Sequence, residues 1–257
     1  MLRWATRLYL LVILLGSGPL IGLAFGRSAW LGAALLLAVG AQWLAAAVVL
    51  ALRWVNPGRT AFMRRAQRQH GGRVDYQWAP EAALSPELRL AAIAGEDVYF
   101  ALHSGFDWES LRAARAYNVT VSGDAPRRGG STISQQVAKN LFLWPQQSYV
   151  RKALEAYLTL FVEAAWPKHR ILEVYLNVVQ FGPLTFGAEA AAQRFFNKPA
   201  AALTANEAAL LITVLPSPNH WRVDQPDRAM RYRQLLIVGS MRKLGPGYLV
   251  RLEGGRA

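Results

Sequence analysis

Two charge-free stretches at the amino terminus constrain this chain more than any other feature. Leu8–Gly26 runs 19 residues and Ser28–Leu52 runs 25 without a charged side chain, with Arg27 alone between them. At about 1.5 Å per helical residue, each is long enough to cross a hydrocarbon core of about 30 Å. The first is the looser candidate, because Gly16, Gly18, Pro19, Gly22 and Gly26 interrupt it. The second, rich in Leu, Ala and Val with Trp30, Trp43 and Trp54, is the stronger span. No small-x-small site with an ordinary flank follows the first stretch, which argues against a cleaved signal peptide. One or two transmembrane helices are therefore expected over residues 1–53, followed by a basic segment over 54–73.

Only Arg3, Arg7 and Arg27 of the 29 basic residues lie before residue 53, and all 16 acidic residues lie after it, so the positive surplus belongs to the remainder of the chain. Such a surplus favours anionic partners: nucleic acid, lipid phosphate or a phosphorylated substrate. Charge alone does not choose among them. A 53% hydrophobic content and the absence of cysteine exclude a disordered tail, a disulfide scaffold and a zinc finger. Arg3 and Arg7 hold the amino terminus in the cytoplasm, yet Arg53, Arg59, Arg64, Arg65 and Arg68 form a stronger cluster after the second span. A hairpin with both ends cytoplasmic satisfies the positive-inside rule best. The other use of these arginines is to hold the domain against anionic headgroups.

Beyond the Asn56-Pro57-Gly58 break the pattern is overwhelmingly helical, after a short extended segment over Val74–Trp78. Ser85-Pro86-Glu87 combines a cap, a first-turn proline and a first-turn acid, and predicts a helix to about Phe100. A polar loop follows over Ser122–Gly130. Thr132 and Gln135 then form a capping-box pattern that opens a helix carrying Ile133, Val137 and Leu141 on one face. Ser148 starts a long helix that Pro167 ends. Further helices are expected at His169–Val179, Ala188–Phe196, Thr204–Leu215 and Asp227–Leu244. No alternating run is long enough to build a sheet. The fold class is mainly α.

Two places look wrong for stability. Glu96 and Asp97 sit late in a helix among Ala91, Ala92, Ile93, Ala94 and Phe100, where negative charge opposes the helix dipole and apolar neighbours raise a carboxylate's pKa. Such a group suits general-base chemistry; equally, both acids could face solvent and pair with an arginine. Arg151 and Lys152 occupy the first turn of the helix after Ser148, the end that disfavours cations. With Glu155, Thr159 and Glu163, Lys152 makes a polar stripe that is either an ion-paired solvated face or a cationic clamp beside a second carboxylate. His103 and Asp107 are two ligands and too few for a metal site. The sequon Asn118-Val119-Thr120 and the Ser240-Met241-Arg242-Lys243 match to a penicillin-binding motif read as coincidences.

Five ordered blocks carry a family resemblance: Glu96-Asp97-Val98-Tyr99-Phe100-Ala101-Leu102-His103-Ser104-Gly105; Gly129-Gly130-Ser131-Thr132-Ile133-Ser134-Gln135-Gln136; Lys139-Asn140; Arg151-Lys152 with Glu155; and Ile171-Leu172-Glu173-Val174-Tyr175-Leu176-Asn177. Gly187–Ala192 with Phe196 and Lys198, and Glu207–Leu211 with Leu215–Pro218, extend it. Together they resemble the peptidoglycan glycosyltransferases over roughly residues 74–245. The resemblance implies the monofunctional, membrane-anchored biosynthetic form, with 246–257 as a tail. It implies a lysozyme-like helical domain that polymerises lipid II into glycan strands, with inversion and release of undecaprenyl diphosphate.

Carried over by position, the resemblance makes Glu96 the general base toward the acceptor 4-hydroxyl and Glu155 the second carboxylate. It makes Lys139, Arg151 and Lys152 the neutralisers of the diphosphate. Ser131, Thr132, Gln135 and Gln136 would line the donor site, and Asp97, Phe100, His103 and Asn140 would bind substrate. It allows Mg²⁺ or Mn²⁺ as a support for the diphosphate, with no ligating residue identified. The implied partners are lipid II, nascent glycan, membrane lipids and other cell-wall synthesis proteins, and not nucleic acid. Because lipid II is consumed outside the cytoplasmic membrane, the implied location is that membrane with the domain on the periplasmic side, against the positive-inside rule. A lysozyme-like hydrolase would have little use for the Arg151 and Lys152 clamp. A non-catalytic adaptor binding through its basic face would be indifferent to Glu96.

Overall fold

The structure, a computed structural model, describes residues 29–121 and 129–253. The Leu8–Gly26 stretch lies outside them, so the choice between one and two spans does too. Helix α1, Ala29–Ala51, is long and apolar. Residues Trp30–Ala51 suffice by length and composition to cross a membrane, and they are almost wholly unburied by the rest of the chain.

The end of α1 is tied to the domain. Val49 O accepts from Trp166 Nε1 at 2.7 Å, Ala165 O accepts from Arg53 Nη1 at 2.9 Å, and Arg170 Nη2 donates to Leu52 O and Val55 O at 3.1 and 3.0 Å. The last carbonyls of a helix lack partners within it, and here distant side chains supply some of them. Helix α2, Ala61–His70, is capped by Thr60 and stopped by Gly71 in the left-handed region. Its Met63 and Ala66 pack on Val74 and Phe186, next to a minimal parallel pair of strands, β1 (Asp75–Tyr76) and β2 (Thr185–Phe186).

The domain core is built from α3 (Pro86–Glu96), α5 (Ile133–Phe142), α6 (Tyr149–Ala165), α7 (Lys168–Val178), α9 (Ala205–Thr213) and α10 (Arg228–Leu244), with α4 (Trp108–Thr120) and α8 (Ala188–Phe196) outside them. Helix α3 packs between α9 and α10, and α5 lies against α6 and α7. Trp166, Tyr175, Phe100, Phe181, Ile93 and Leu176 are among the fully buried side chains.

The starts of these helices are written locally. Ser85, Thr132, Ser148, Thr204 and Asp227 each accept a hydrogen bond from the backbone N–H three residues on, and Thr132/Gln135 and Thr204/Glu207 make full capping boxes. Two expectations are corrected. Helix α3 ends at Glu96 rather than near Phe100, because the Asp97 carboxylate takes the Ile133 N–H at 3.0 Å and draws the chain off the helical path. Part of the segment read as a tail is helix α11, Gly247–Glu253, whose Tyr248, Leu249 and Leu252 join the core against α3 and α7.

Candidate active site

Glu96 is the last residue of α3, and the fold turns its carboxylate into a cleft with its side chain 14% exposed. Gln136 Nε2 donates to Oε2 at 3.1 Å and Arg233 Nη2 to Oε1 at 3.0 Å. Tyr175 faces the other end of the Gln136 amide, with its hydroxyl donating to Oε1 at 3.4 Å, so the amide nitrogen is the atom left for Glu96. Burial pushes the Glu96 carboxyl above the ordinary carboxylate value, opposed by the Gln136 hydrogen bond and by the charges of Arg233 and Lys139. Burial and the nearby carboxylates hold the Tyr175 hydroxyl well above its usual value, so it stays a neutral donor.

Adjacent Asp97 has a different part. Its Oδ1 accepts from His103 Nε2 at 2.9 Å, and its Oδ2 from the Ile133 N–H at 3.0 Å. Gly105 N–H donates to His103 Nδ1 at 3.1 Å, which fixes the proton of a neutral imidazole on Nε2. The Thr132 hydroxyl donates to Gly105 O at 2.7 Å. Gly105 sits at φ +94, and a Cβ there would meet Thr159 Cγ2 at 2.8 Å. These bonds staple the segment after α3 to the amino end of α5. His103 therefore stands behind the cleft, and Asp97 lines it with both carboxylate oxygens already engaged. Phe100 is fully buried with Lys168 Nζ 4.4 Å from its ring centre, which makes it a core residue. Gln135 is spent on the capping box and Asn140 is buried. Asp107 caps α4 through the Ser110 N–H at 2.9 Å and does not join His103 in a metal pair.

A cavity of about 310 Å³ is lined by Glu96, Asp97, Gly129, Gly130, Ser131 and Thr132, among others. Ser131 links it to the second cluster, because its hydroxyl accepts from Lys152 Nζ at 3.0 Å. Lys152 also donates to Glu155 Oε1, and a further cavity of about 390 Å³ runs past Ser148, Tyr149, Arg151 and Lys152. Arg151 is buried, and among the described residues its Nε has no hydrogen-bond partner. Lys139 lies within the field of both carboxylates. Burial, Arg151 and Lys152 lower its pKa, while Glu155 and Glu96 raise it. Three cations thus crowd one region against a single buried glutamate, an arrangement that an anion between them would relieve.

Neither open reading of the α6 stripe is complete. Glu155, Thr159 and Glu163 are all buried, so the stripe is not a solvated face. Only its first turn is a clamp, because Glu163 pairs with Lys168 at 2.6 Å and accepts from the Ser134 hydroxyl deep in the fold. Sequence reasoning missed Arg233 and the partnership of Tyr175 with Gln136. Tyr175 stood inside a motif block, whereas Arg233 stands in an arginine-rich helix with no local mark to single it out.

The sequence signature of the family described as Transglycosylase matches residues 63–242. Among similar proteins, the biosynthetic peptidoglycan transglycosylase of Rhodospirillum centenum is 45% identical over 202 residues, 79% of this chain and 86% of that one. The protein of the same name from Pasteurella multocida is 48% identical over 180 residues, 70% of this chain and 72% of its own. That of Pseudomonas entomophila is 46% identical over 223 residues, 83% of this chain and 93% of its own.

Proposed function

The chain belongs to the transglycosylase family, and on that premise we propose how its cleft carries out the reaction. The protein is a glycosyltransferase that polymerises peptidoglycan glycan strands. The donor is lipid II, and the acceptor presents its 4-hydroxyl to Glu96. As the acceptor oxygen forms its bond to the anomeric carbon from the face opposite the leaving group, Glu96 takes the hydroxyl proton. The bond to the diphosphate breaks, its electron pair leaves with the diphosphate oxygen, and the configuration inverts. Lys139, Arg151 and Lys152 surround the departing diphosphate, with Ser131 beside them. Glu155 keeps Lys152 directed at that position.

The observation that carries this reading is a carboxylate made more basic by burial, joined to a cation cluster through Ser131, which lines the Glu96 cavity and accepts from Lys152, and through Lys139, which lies in the field of Glu96 and Glu155 alike. Among the described residues no three His, Asp or Glu side chains come together as a metal cage. Mg²⁺ or Mn²⁺ would support the charge of the diphosphate there, and no step above depends on it.

The test is polymerisation of labelled lipid II by the full chain in detergent, resolved as glycan ladders. Glu96→Gln keeps the shape and removes the base, and is expected to cost about 10²–10⁴-fold in turnover. Wild-type ladders from that variant would refute the assignment, and soluble sugars released from preformed glycan would show a hydrolase.

The apolar α1 fits a membrane anchor. The domain stands on the outer side of the cytoplasmic membrane, where lipid II is consumed. The chain has no cysteine, so one placed at exposed His220 is a clean reporter. It should react with an impermeant thiol reagent in intact spheroplasts, and protection until lysis would put the domain inside.

A further inference from the structure

A glutamate at the carboxyl end of a helix faces the negative pole of that helix, and Glu96, with its side chain only 14% exposed, is largely withdrawn from water there as well. Both effects favour the neutral acid, and a protonated Glu96 cannot accept a proton. Something in the fold has to oppose them. Arg233, 137 residues away on α10, donates through Nη2 to Glu96 Oε1 at 3.0 Å and to the carbonyl oxygen of Gly95 at 3.3 Å. One guanidinium therefore meets both negative features, the carboxylate and a terminal carbonyl of α3. Gly95 itself packs against α10, where an added Cβ would meet Ile237 Cδ1 at 3.2 Å, so the two helices are held close.

We infer that Arg233 is a positioning residue for the general base: it holds the Glu96 carboxylate charged and aimed into the cleft, and it sets the acid side of the pH range over which the enzyme works. The inference rests on the reading of Glu96 as that base. Arg233 gives and takes no proton itself; the acceptor's proton passes to Glu96 and the guanidinium stays charged throughout.

The other groups facing Glu96 do not fill this part. Gln136 and Tyr175, from α5 and α7, bring hydrogen bonds without charge. Asp97 brings the wrong sign. Lys139 of α5 brings the right sign, yet it is shared with Glu155 and crowded by Arg151 and Lys152. When the diphosphate arrives among those cations, Lys139 is engaged by it, and Arg233 remains the cation dedicated to the base.

The sign of the effect follows directly. An opposite charge at this range lowers a carboxyl pKa by about one to three units. Without Arg233 the Glu96 pKa rises, and the acid limb of kcat/KM moves to higher pH. The experiment measures lipid II polymerisation against pH for the full chain in detergent, comparing wild type with Arg233→Met, Arg233→Gln and Arg233→Lys. In the neutral variants the limb should shift upward by about one to three pH units. At the low end of the range they should lose about tenfold or more, and recover most of that loss above the new limb. Arg233→Lys should return the limb toward its wild-type position.

An unshifted limb with the same loss at every pH would make Arg233 a packing residue and overturn the inference. If one neutral variant fails to fold, the other carries the same prediction. A parallel Glu96→Gln profile separates the two claims. Activity retained there defeats the base assignment itself, whereas an inactive Glu96→Gln with an unshifted Arg233→Met limb defeats only the inference about Arg233.

Discussion

Helix α6 and the first residue of α7 hold two lysine–glutamate pairs whose chemistry is the same and whose surroundings are not. At the open end, Lys152 meets Glu155 with the lysine side chain 49% exposed. At the closed end, Lys168 meets Glu163 with side chains 5% and 1% exposed, and the Ser134 hydroxyl completes the contact. The first pair borders the cleft and has Arg151 and Lys139 nearby, so its positive charge is in excess and available to an anion. The second is enclosed beneath Phe100 and Gly105, and it holds α5, α6 and the segment after α3 together. An ion pair is a binding element or a brace according to what else surrounds it, and composition does not distinguish the two cases.

Three variants can break or sharpen that contrast. The largest expected effect is on stability: Lys168→Met withdraws the ammonium from a buried carboxylate and should cost about 3–5 kcal/mol in thermal or denaturant unfolding of the purified protein. A loss below about 1 kcal/mol would mean that the closed pair is no brace. Next comes Lys152→Met, which should slow lipid II polymerisation about tenfold or more, the weight of one charge-assisted hydrogen bond of about 1.5–3 kcal/mol, while unfolding moves by no more than about 1 kcal/mol. Equal losses of rate and stability would erase the difference between the pairs. The smallest is Thr132→Ala, which removes the capping box of α5 and the bond to Gly105 and should cost about 1 kcal/mol, with Thr132→Ser restoring most of it. A silent Thr132→Ala would show that the closed brace alone holds the amino end of α5.

Much of the helical layout was legible in the sequence because helix starts obey local rules. A serine, threonine or aspartate whose side chain reaches the backbone three residues on needs no tertiary partner, and Ser85, Thr132, Ser148, Thr204 and Asp227 all cap where the pattern placed them. The anomaly at Glu96 was also legible, since an acid at the wrong end of a helix among apolar neighbours conflicts with short-range physics. What separated Glu96 from Asp97 was not. The two stand side by side in one motif block, and only the approach of α5 and α10 gives one an open cleft and the other a histidine and a backbone N–H. Phe100 followed the same course, since a motif position turned out to be a core position.

By itself, then, the sequence determined the long apolar amino-terminal helix, the mainly helical class, the family and the two places where charge sits against the helix dipole, because each is a matter of composition or of residues a few positions apart. The tertiary structure alone decided which of the two acids meets Gln136 and Arg233 and which meets His103, which lysine–glutamate pair is open, and that Arg233 reaches Glu96 across the fold. Each of those depends on burial and on contacts between helices far apart in the chain, and burial is what turns an ordinary carboxylate into one whose charge has to be held in place.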